Sequence, residues 1–261
     1  MKIVTWNINS VRLRIDLLEQ LKNKIAPDVI CLQETKTTDD KFPLEAIRKL
    51  GFEHIVYTGE KSYNGVAILS KFPIKNSFSL NLYNDDKRHI AANILDLEVH
   101  NFYVPAGGDI PDIDENPKFK HKLEFVKLIK KWFIEERLKD NEKIILLGDL
   151  NIAPHQQDVW SSRQLRNVVS HTDIEREHLK DLQHSLNFID TGRYFVDMQE
   201  KLYTWWSYRN RDWKKSNRGR RLDHIWTSHN LEGNLSQIEV LKDARDWLKP
   251  SDHVPFTLYL K

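Results

Sequence analysis

The sequence predicts an α/β protein with sheets inside and helices outside, and three observations carry that prediction. Short apolar runs of strand length alternate with segments whose apolar residues recur at helical spacing, from one end of the chain to the other. Several strand-like runs are apolar throughout, the pattern of strands covered on both faces. The 261 residues are 40% hydrophobic, enough for one large core. No low-complexity segment, short-period repeat or linker divides them, so residues 1–261 read as one domain.

The elements follow in order. Residues 2–8 form an apolar run that ends among Asn7 and Asn9, and Leu13, Leu17, Leu21 and Ile25 then recur on one helical face. Residues 28–32 are a β-branched run that ends at Gln33-Glu34-Thr35-Lys36. Residues 66–69 follow Asn64-Gly65, a turn signal. Residues 90–97 and 99–104 read as paired strands. Residues 117–138 read as a long helix, with Leu123, Val126, Ile129 and Phe133 inward and its lysines outward. Residues 144–147 form a buried strand that runs into Gly148-Asp149-Leu150-Asn151. Thr172-Asp173-Ile174-Glu175 has the form of a capping box ahead of Leu179, Leu182 and Leu186. Residues 222–226 and 254–260 are the last strands.

Composition narrows the setting. No apolar run approaches the roughly 20 residues of a membrane span, and Met1 to Trp6 reads as a strand rather than as a signal peptide. Cys31 is the only cysteine, so no intrachain disulfide forms, and a reducing, cytoplasmic setting is expected. No heptad pattern marks an oligomer, and a monomer is expected. The net charge of +2 says little by itself. Its distribution says more: Arg209, Arg211, Lys214, Lys215, Arg218, Arg220 and Arg221 face only Asp212 between them. A solvated loop accounts for the charge, but Trp205, Trp206, Tyr208 and Trp213 are interleaved with it. Cations serve phosphates and aromatics serve bases and sugars, so the stretch suits a nucleic acid.

Five places share one feature: polar or acidic side chains adjoin the end of an apolar strand. They are Asn7 with Asn9, Gln33-Glu34, Asp149 with Asn151, Asp223-His224, and Asp252-His253. Each taken separately suits a turn or a cap. Together they suit one sheet edge, where α/β proteins build sites. Glu34 and Asn7, with Asp252 as a further candidate, offer hard oxygen ligands for Mg²⁺, with Mn²⁺ as the substitute. No Cys/His cluster has zinc spacing. Asp149 suits the orientation or deprotonation of a water, and Asn151 suits holding that water or a phosphate oxygen. An aspartate beside His253 would keep its imidazole oriented and charged next to a phosphoryl oxygen. These residues suit a phosphodiesterase.

The chain resembles the exonuclease III / AP endonuclease family, part of the wider endonuclease/exonuclease/phosphatase superfamily. The resemblance rests on Thr5-Trp6-Asn7-Ile8-Asn9-Ser10, Leu32-Gln33-Glu34-Thr35-Lys36, Tyr63-Asn64-Gly65-Val66-Ala67-Ile68, Tyr103-Val104-Pro105, Gly148-Asp149-Leu150-Asn151-Ile152-Ala153, Tyr203-Thr204-Trp205-Trp206, Arg221-Leu222-Asp223 and Ser251-Asp252-His253, in family order. It implies a four-layer sandwich of two mixed β-sheets packed face to face and flanked by helices. It implies metal ligation by Asn7 and Glu34, with Asp252 near the metal. Tyr103 would contact the scissile phosphate, Asp149 would activate water, Asn151 would position it, and Asp223 would hold His253. Trp205 and Leu222 would line a pocket for a flipped abasic sugar. The basic run, read from its own charge, offers Arg209, Arg211 and Arg220 to the DNA. The implied activity is cleavage of duplex DNA 5′ to abasic sites and trimming of 3′ ends. Two departures stand out: Ala106-Gly107-Gly108-Asp109 follows Pro105 where many relatives carry an amide, and Arg220 replaces a tryptophan wall of the pocket. A phosphatase acting on inositol phosphates is the competing enzyme, disfavoured by Tyr103 in place of a second histidine. A binding protein with a dead site is disfavoured because each catalytic position holds a competent side chain.

Overall fold

Alternate side chains of the first strand enter two different cores. Ile3 points into an apolar layer with Val29, Ile68, Val99, Leu147 and Ile225, while Val4 and Trp6 point the other way, toward Leu17, Leu21 and Leu69. A strand with period two and two apolar faces needs cover on both sides. The computed structural model describes residues 1–137, 143–210 and 212–261.

The first half contains β1 (Lys2–Asn7), α1 (Ile15–Ile25), β2 (Val29–Gln33), α2 (Leu44–Lys49), β3 (His54–Thr58), β4 (Val66–Ser70), β5 (Ile74–Phe78), β6 (His89–Ile94), β7 (Leu97–Tyr103) and α3 (Pro117–Glu136). The second contains β8 (Lys143–Asp149), α4 (Ser162–Leu165), α5 (Asp173–Ser185), β9 (Ile189–Asp190), α6 (Thr191–Phe195), β10 (Trp205–Trp206), α7 (Trp213–Ser216), β11 (Gly219–Arg220), β12 (Asp223–Thr227), β13 (Leu235–Val240) and β14 (Phe256–Leu260). One six-stranded sheet has the order β13-β14-β1-β2-β4-β3 and the other β5-β6-β7-β8-β12-β9. Their facing sides share the central core. Helices α1 and α2 cover the back of the first sheet, and α3 and α5 cover the back of the second through Phe125, Val126, Ile129, Leu179 and Leu182. The result is the expected four-layer sandwich of two mixed sheets.

Helix ends follow their chemistry. Asn116 caps α3 by accepting from the Lys118 amide, with Pro117 in the first turn. The Thr172–Glu175 capping box closes the start of α5 as expected. Three details correct the sequence reading. Leu13 lies ahead of α1 and is exposed. Lys122 is fully buried, not outward like other lysines of α3. The strands foreseen from 222 and 254 begin at Asp223 and Phe256. Leu138, the foreseen end of α3, lies outside the described residues.

Register brings the polar strand ends together. β1 runs parallel to β2, with Asn7 opposite Gln33. β7 runs parallel to β8, with Tyr103 opposite Asp149. β12 is antiparallel to β8 and starts with Asp223 opposite Asp149. β14 is antiparallel to β1, so the segment before it returns to the same edge. Gly148 makes the β7–β8 pairing possible. Its φ is +138°, and a Cβ there would lie 1.9 Å from the Phe102 carbonyl oxygen.

Candidate active site

Asp149 is the hub. Its Oδ2 accepts from Asn7 Nδ2 at 2.8 Å and from Asn151 Nδ2 at 3.1 Å, and its Oδ1 accepts from the Asn151 amide at 3.0 Å. Asn7 Nδ2 also donates to Glu34 Oε1 at 2.9 Å, and the Tyr103 hydroxyl donates to the same oxygen at 2.7 Å. Lys36 Nζ pairs with Glu34 Oε2 at 2.7 Å. Glu34 and Asn151 both have φ in the left-handed region, at +51° and +54°. For glutamate that conformation is uncommon and strained. The Ser10 amide holds the Glu34 carbonyl at 2.7 Å, which helps fix the carboxylate at the strand edge.

His253 completes the hub. Its Nδ1 donates to Asp223 Oδ2 at 2.8 Å, and its Nε2 lies 3.6 Å from Asp149 Oδ2. Burial disfavours the imidazolium, but Asp223 and Asp149 outweigh burial and push its pKa up to about 10. Asp149 moves up to about 7, because burial and the nearby Asp223 and Glu34 oppose its charge more than His253 and Asn7 support it. The pair titrates as a unit. Glu34 moves below the ordinary carboxylate range: burial opposes its charge, and Lys36, Asn7 and Tyr103 more than compensate. Tyr103 is driven well above the usual phenol range by burial beside Glu34 and Asp149, so its hydroxyl stays a donor.

Asp252 lies apart from this hub. Its Oδ1 accepts from Asn9 Nδ2 at 3.1 Å and its Oδ2 from Trp205 Nε1 at 2.9 Å. Asp252, Asp149 and His253 nevertheless line one cleft of about 970 Å³ with Trp205, Leu222 and Arg220. Leu222 is buried, and Trp205 is half-buried with a face in the cleft. Arg220 lies over the Trp205 ring, 5.3 Å from its centroid. Arg209 lines the cleft too, and Arg211 lies outside the described residues.

The loop after Pro105 borders the cleft through Ala106, Gly108 and Asp109. Gly107 has φ +91° and a Cβ there would meet the Lys122 side chain at 2.8 Å. Buried Lys122 donates to the carbonyls of Ala106 and Asn151 and pairs with Glu175 at 2.5 Å. It thereby ties this loop to the carbonyl of a hub residue.

The basic run separates into different environments. Arg221 is fully buried and binds Asp190 with two parallel hydrogen bonds of 2.8 Å, and Asp158 with a third of 3.0 Å. Lys214 pairs with Asp246. Trp206 is buried in a small core. Only part of the run therefore faces the cleft.

Sequence reasoning did not assign Lys36, Ser251 or Lys122. Ser251 Oγ donates to the Asn7 carbonyl and accepts from the His253 amide, joining two strand ends. Lys36 and Ser251 lie inside the motifs already quoted, where only the chemistry of their neighbours stands out. Lys122 follows Phe119 by three residues and precedes Val126 by four, so helical spacing itself puts it on the buried face.

Two oxygen-rich groupings could serve a metal ion. Asp149, Asp223 and His253 bring one ligand atom each within 4.8 Å of one another. The second grouping is Glu34 with Asn7, whose carboxylate is matched by the Lys36 ammonium. In the first grouping His253 Nδ1 and Asp223 Oδ2 are already hydrogen-bonded to each other at 2.8 Å. The second offers oxygen donors beside the cleft and suits a hard cation.

The endonuclease/exonuclease/phosphatase family model matches residues 4–253. Exodeoxyribonuclease III of Haemophilus influenzae is 32% identical, over 98% of this chain and 98% of its own. An AP endonuclease from Archaeoglobus fulgidus is 29% identical and superposes with a TM-score of 0.92, covering 100% of this chain and 99% of that one. The 3′ phosphatase NExo from Neisseria, in complex with a product DNA hairpin, is 32% identical with a TM-score of 0.92 and the same coverage. The sheet-edge carboxylates, the Asp223–His253 pair and the matched length have one reading: this chain belongs to the endonuclease/exonuclease/phosphatase family, in its exonuclease III / AP endonuclease branch.

Proposed function

We propose that this protein is a metal-dependent DNA-repair nuclease that hydrolyses the phosphodiester 5′ to abasic sites and removes nucleotides or blocking groups from 3′ ends of duplex DNA. One observation carries the reading. Asp149, raised toward neutrality, lies between Asn7 and a protonated His253 at a cleft bordered by Trp205, Leu222 and Arg220. A base with a pKa near the working pH accepts a proton from water effectively. Asp149 takes that proton, and the Asn151 amide and Asn7 hold Asp149 and the attacking water in place. His253, oriented by Asp223, and the Tyr103 hydroxyl donate toward phosphoryl oxygens as charge grows on them. Trp205 and Leu222 offer an apolar wall to an extruded abasic sugar. Arg209, Arg211 and Arg220 supply positive charge for the DNA.

Glu34 and Asn7, with Asp252 nearby, would hold Mg²⁺ or its substitute Mn²⁺. Bound there, the ion would offset negative charge on the phosphoryl oxygens. Residues 1–261 work as one catalytic domain and as a monomer. The reading as a cytoplasmic enzyme rests on Cys31, a single buried thiol. No helix among the described residues is long and apolar enough to cross a membrane.

A substrate panel under one Mg²⁺ condition tests the proposal: abasic duplex, recessed 3′ end, 3′-phosphate end, RNA·DNA hybrid and inositol polyphosphate. Incision of the abasic duplex and shortening of the 3′ end, both lost in EDTA, is the expected result. Intact DNA on both substrates sinks it. Phosphate release from inositol polyphosphate that outpaces DNA cleavage replaces it with the phosphatase reading.

A further inference from the structure

Between the two sheets, buried amides interrupt an apolar layer one step below the catalytic edge. On β1 the face toward the other sheet reads Ile3, Thr5, Asn7, and on β7 it reads Val99, Asn101, Tyr103. The same face of β2 carries Cys31 and then Gln33. The deep positions are apolar, the outermost on β1 and β7 are hub residues, and Thr5, Gln33 and Asn101 come between. All three are fully buried, and neither Gln33 nor Asn101 lines the cleft. Gln33 Nε2 donates across the gap to Asn101 Oδ1 at 2.6 Å, and within its own sheet to Thr5 Oγ1 at 3.0 Å. Asn101 Nδ2 crosses the other way, donating to the carbonyls of Leu32 at 2.9 Å and Ala67 at 3.0 Å. Gln33 Oε1 has no hydrogen-bond partner among the described residues. A buried acceptor left unmet costs stability, so apolar side chains of similar shape would hold this layer together at least as well. What the amides add is direction. Apolar packing is non-directional, whereas hydrogen bonds fix both distance and angle.

The hub depends on that direction. Asn7 and Glu34 come from one sheet, and Tyr103, Asp149 and Asp223 from the other. Two hub hydrogen bonds cross the gap, from Asn7 to Asp149 and from Tyr103 to Glu34. A Tyr103 hydroxyl that turns to a phosphoryl oxygen no longer ties the sheets. We propose that Gln33 and Asn101 are positioning residues that lock the register of the two sheets, so that Tyr103 and Asp149 stay aligned with Glu34 and Asn7 during the reaction. This rests on the nuclease reading and deepens it. Neither amide touches substrate, and both act through the residues beside them on their strands.

The test uses the full chain with Mg²⁺ and an abasic duplex. Gln33→Met combined with Asn101→Leu removes the cross-sheet hydrogen bonds and nearly keeps the shape. Stability in urea should equal or exceed that of wild type. Incision kcat should fall about 100-fold, the scale of a 1 Å misplacement, while DNA Kd stays within about twofold. A double-mutant cycle with Tyr103→Phe separates positioning from general damage. That substitution should lower kcat about 100-fold in wild type and less than about tenfold in the paired variant, whose hydroxyl is already out of line. If the paired variant does not fold, Asn101→Ser, which is too short to span the gap, carries the same cycle. A kcat within about threefold of wild type overturns the proposal, since misalignment by 1 Å costs far more. Additive losses in the cycle also overturn it, and leave the amides a structural role alone. Failure of wild type to incise the duplex breaks the nuclease reading itself, and this inference with it.

Discussion

Two buried charge clusters adjoin each other along the chain and could hardly behave more differently. Arg221 anchors one and Asp223 the other, with only Leu222 between them. In the first, Asp158 and Asp190 face Arg221 and Arg193, two carboxylates against two guanidiniums. Burial pushes Asp190 upward, but Arg221 overrides it and brings it down to about 2, and Asp158 is lowered in the same way. In the second, Glu34, Asp149 and Asp223 are met by Lys36 and His253. Three carboxylates share two cations, Asp149 rises to about 7, and buried Asp223 Oδ1 has no hydrogen-bond partner among the described residues. Matched charge makes scaffold. Unmatched charge at a cleft makes a place for protons and cations to move.

Removing Glu34 should produce the largest effect. Glu34→Ala is expected to lower DNA cleavage by about 10³-fold and to weaken metal affinity, because its carboxylate is the one the metal reading depends on. Cleavage within tenfold of wild type would remove Glu34 from that role. The scaffold cluster should respond in stability instead. Arg221→Leu strands buried Asp190, leaves Asp158 with Arg193 alone, and should cost about 3–5 kcal/mol in urea unfolding. Arg220→Leu, one position away, should cost about 1 kcal/mol, since it gives up only neutral hydrogen bonds and a ring contact. Equal losses at the two arginines would erase the distinction between them.

Acid separates the clusters further. Asp190 has a folded pKa depressed from 3.8 to about 2, so its stabilising contribution is complete above the unfolded value and disappears as pH falls through about 2. Wild type should therefore lose its stability advantage over Arg221→Leu between about pH 4 and pH 2. A constant advantage over that window would mean that the ion pairs are not its source. The smallest effect belongs to the rim. Arg209→Ala should weaken DNA binding modestly and reduce the slope of log affinity against log salt by about 1. An unchanged slope would return Arg209 to solvent.

What the sequence discloses follows burial. The eight central strands, β1, β2, β4, β6, β7, β8, β12 and β14, are legible in the sequence as apolar runs. The edge strands β3, β5, β9 and β13 are not, because an edge has one neighbour and mixed exposure. Asn7, Glu34, Asp149 and His253 are legible because each adjoins a central strand, and polar groups there interrupt an otherwise apolar pattern. Arg221 is not separable by sequence from Arg209 or Arg220, since a run of basic residues records charge and not depth. Its partners Asp158 and Asp190 lie 63 and 31 residues away in sequence, in short elements without periodic signal. Lys122 is misplaced when lysine is taken to face water, although its spacing points inward.

The most direct test of the account is Asp149→Asn, which removes one charge from the unmatched cluster while nearly preserving its shape. Single-turnover incision of an abasic duplex with Mg²⁺ should fall by about 10²–10³-fold, within the scale of general-base catalysis, while DNA affinity stays within about twofold of wild type. Incision that persists, or incision and binding that fall together, would contradict the assignment of Asp149 as the base at the centre of this site.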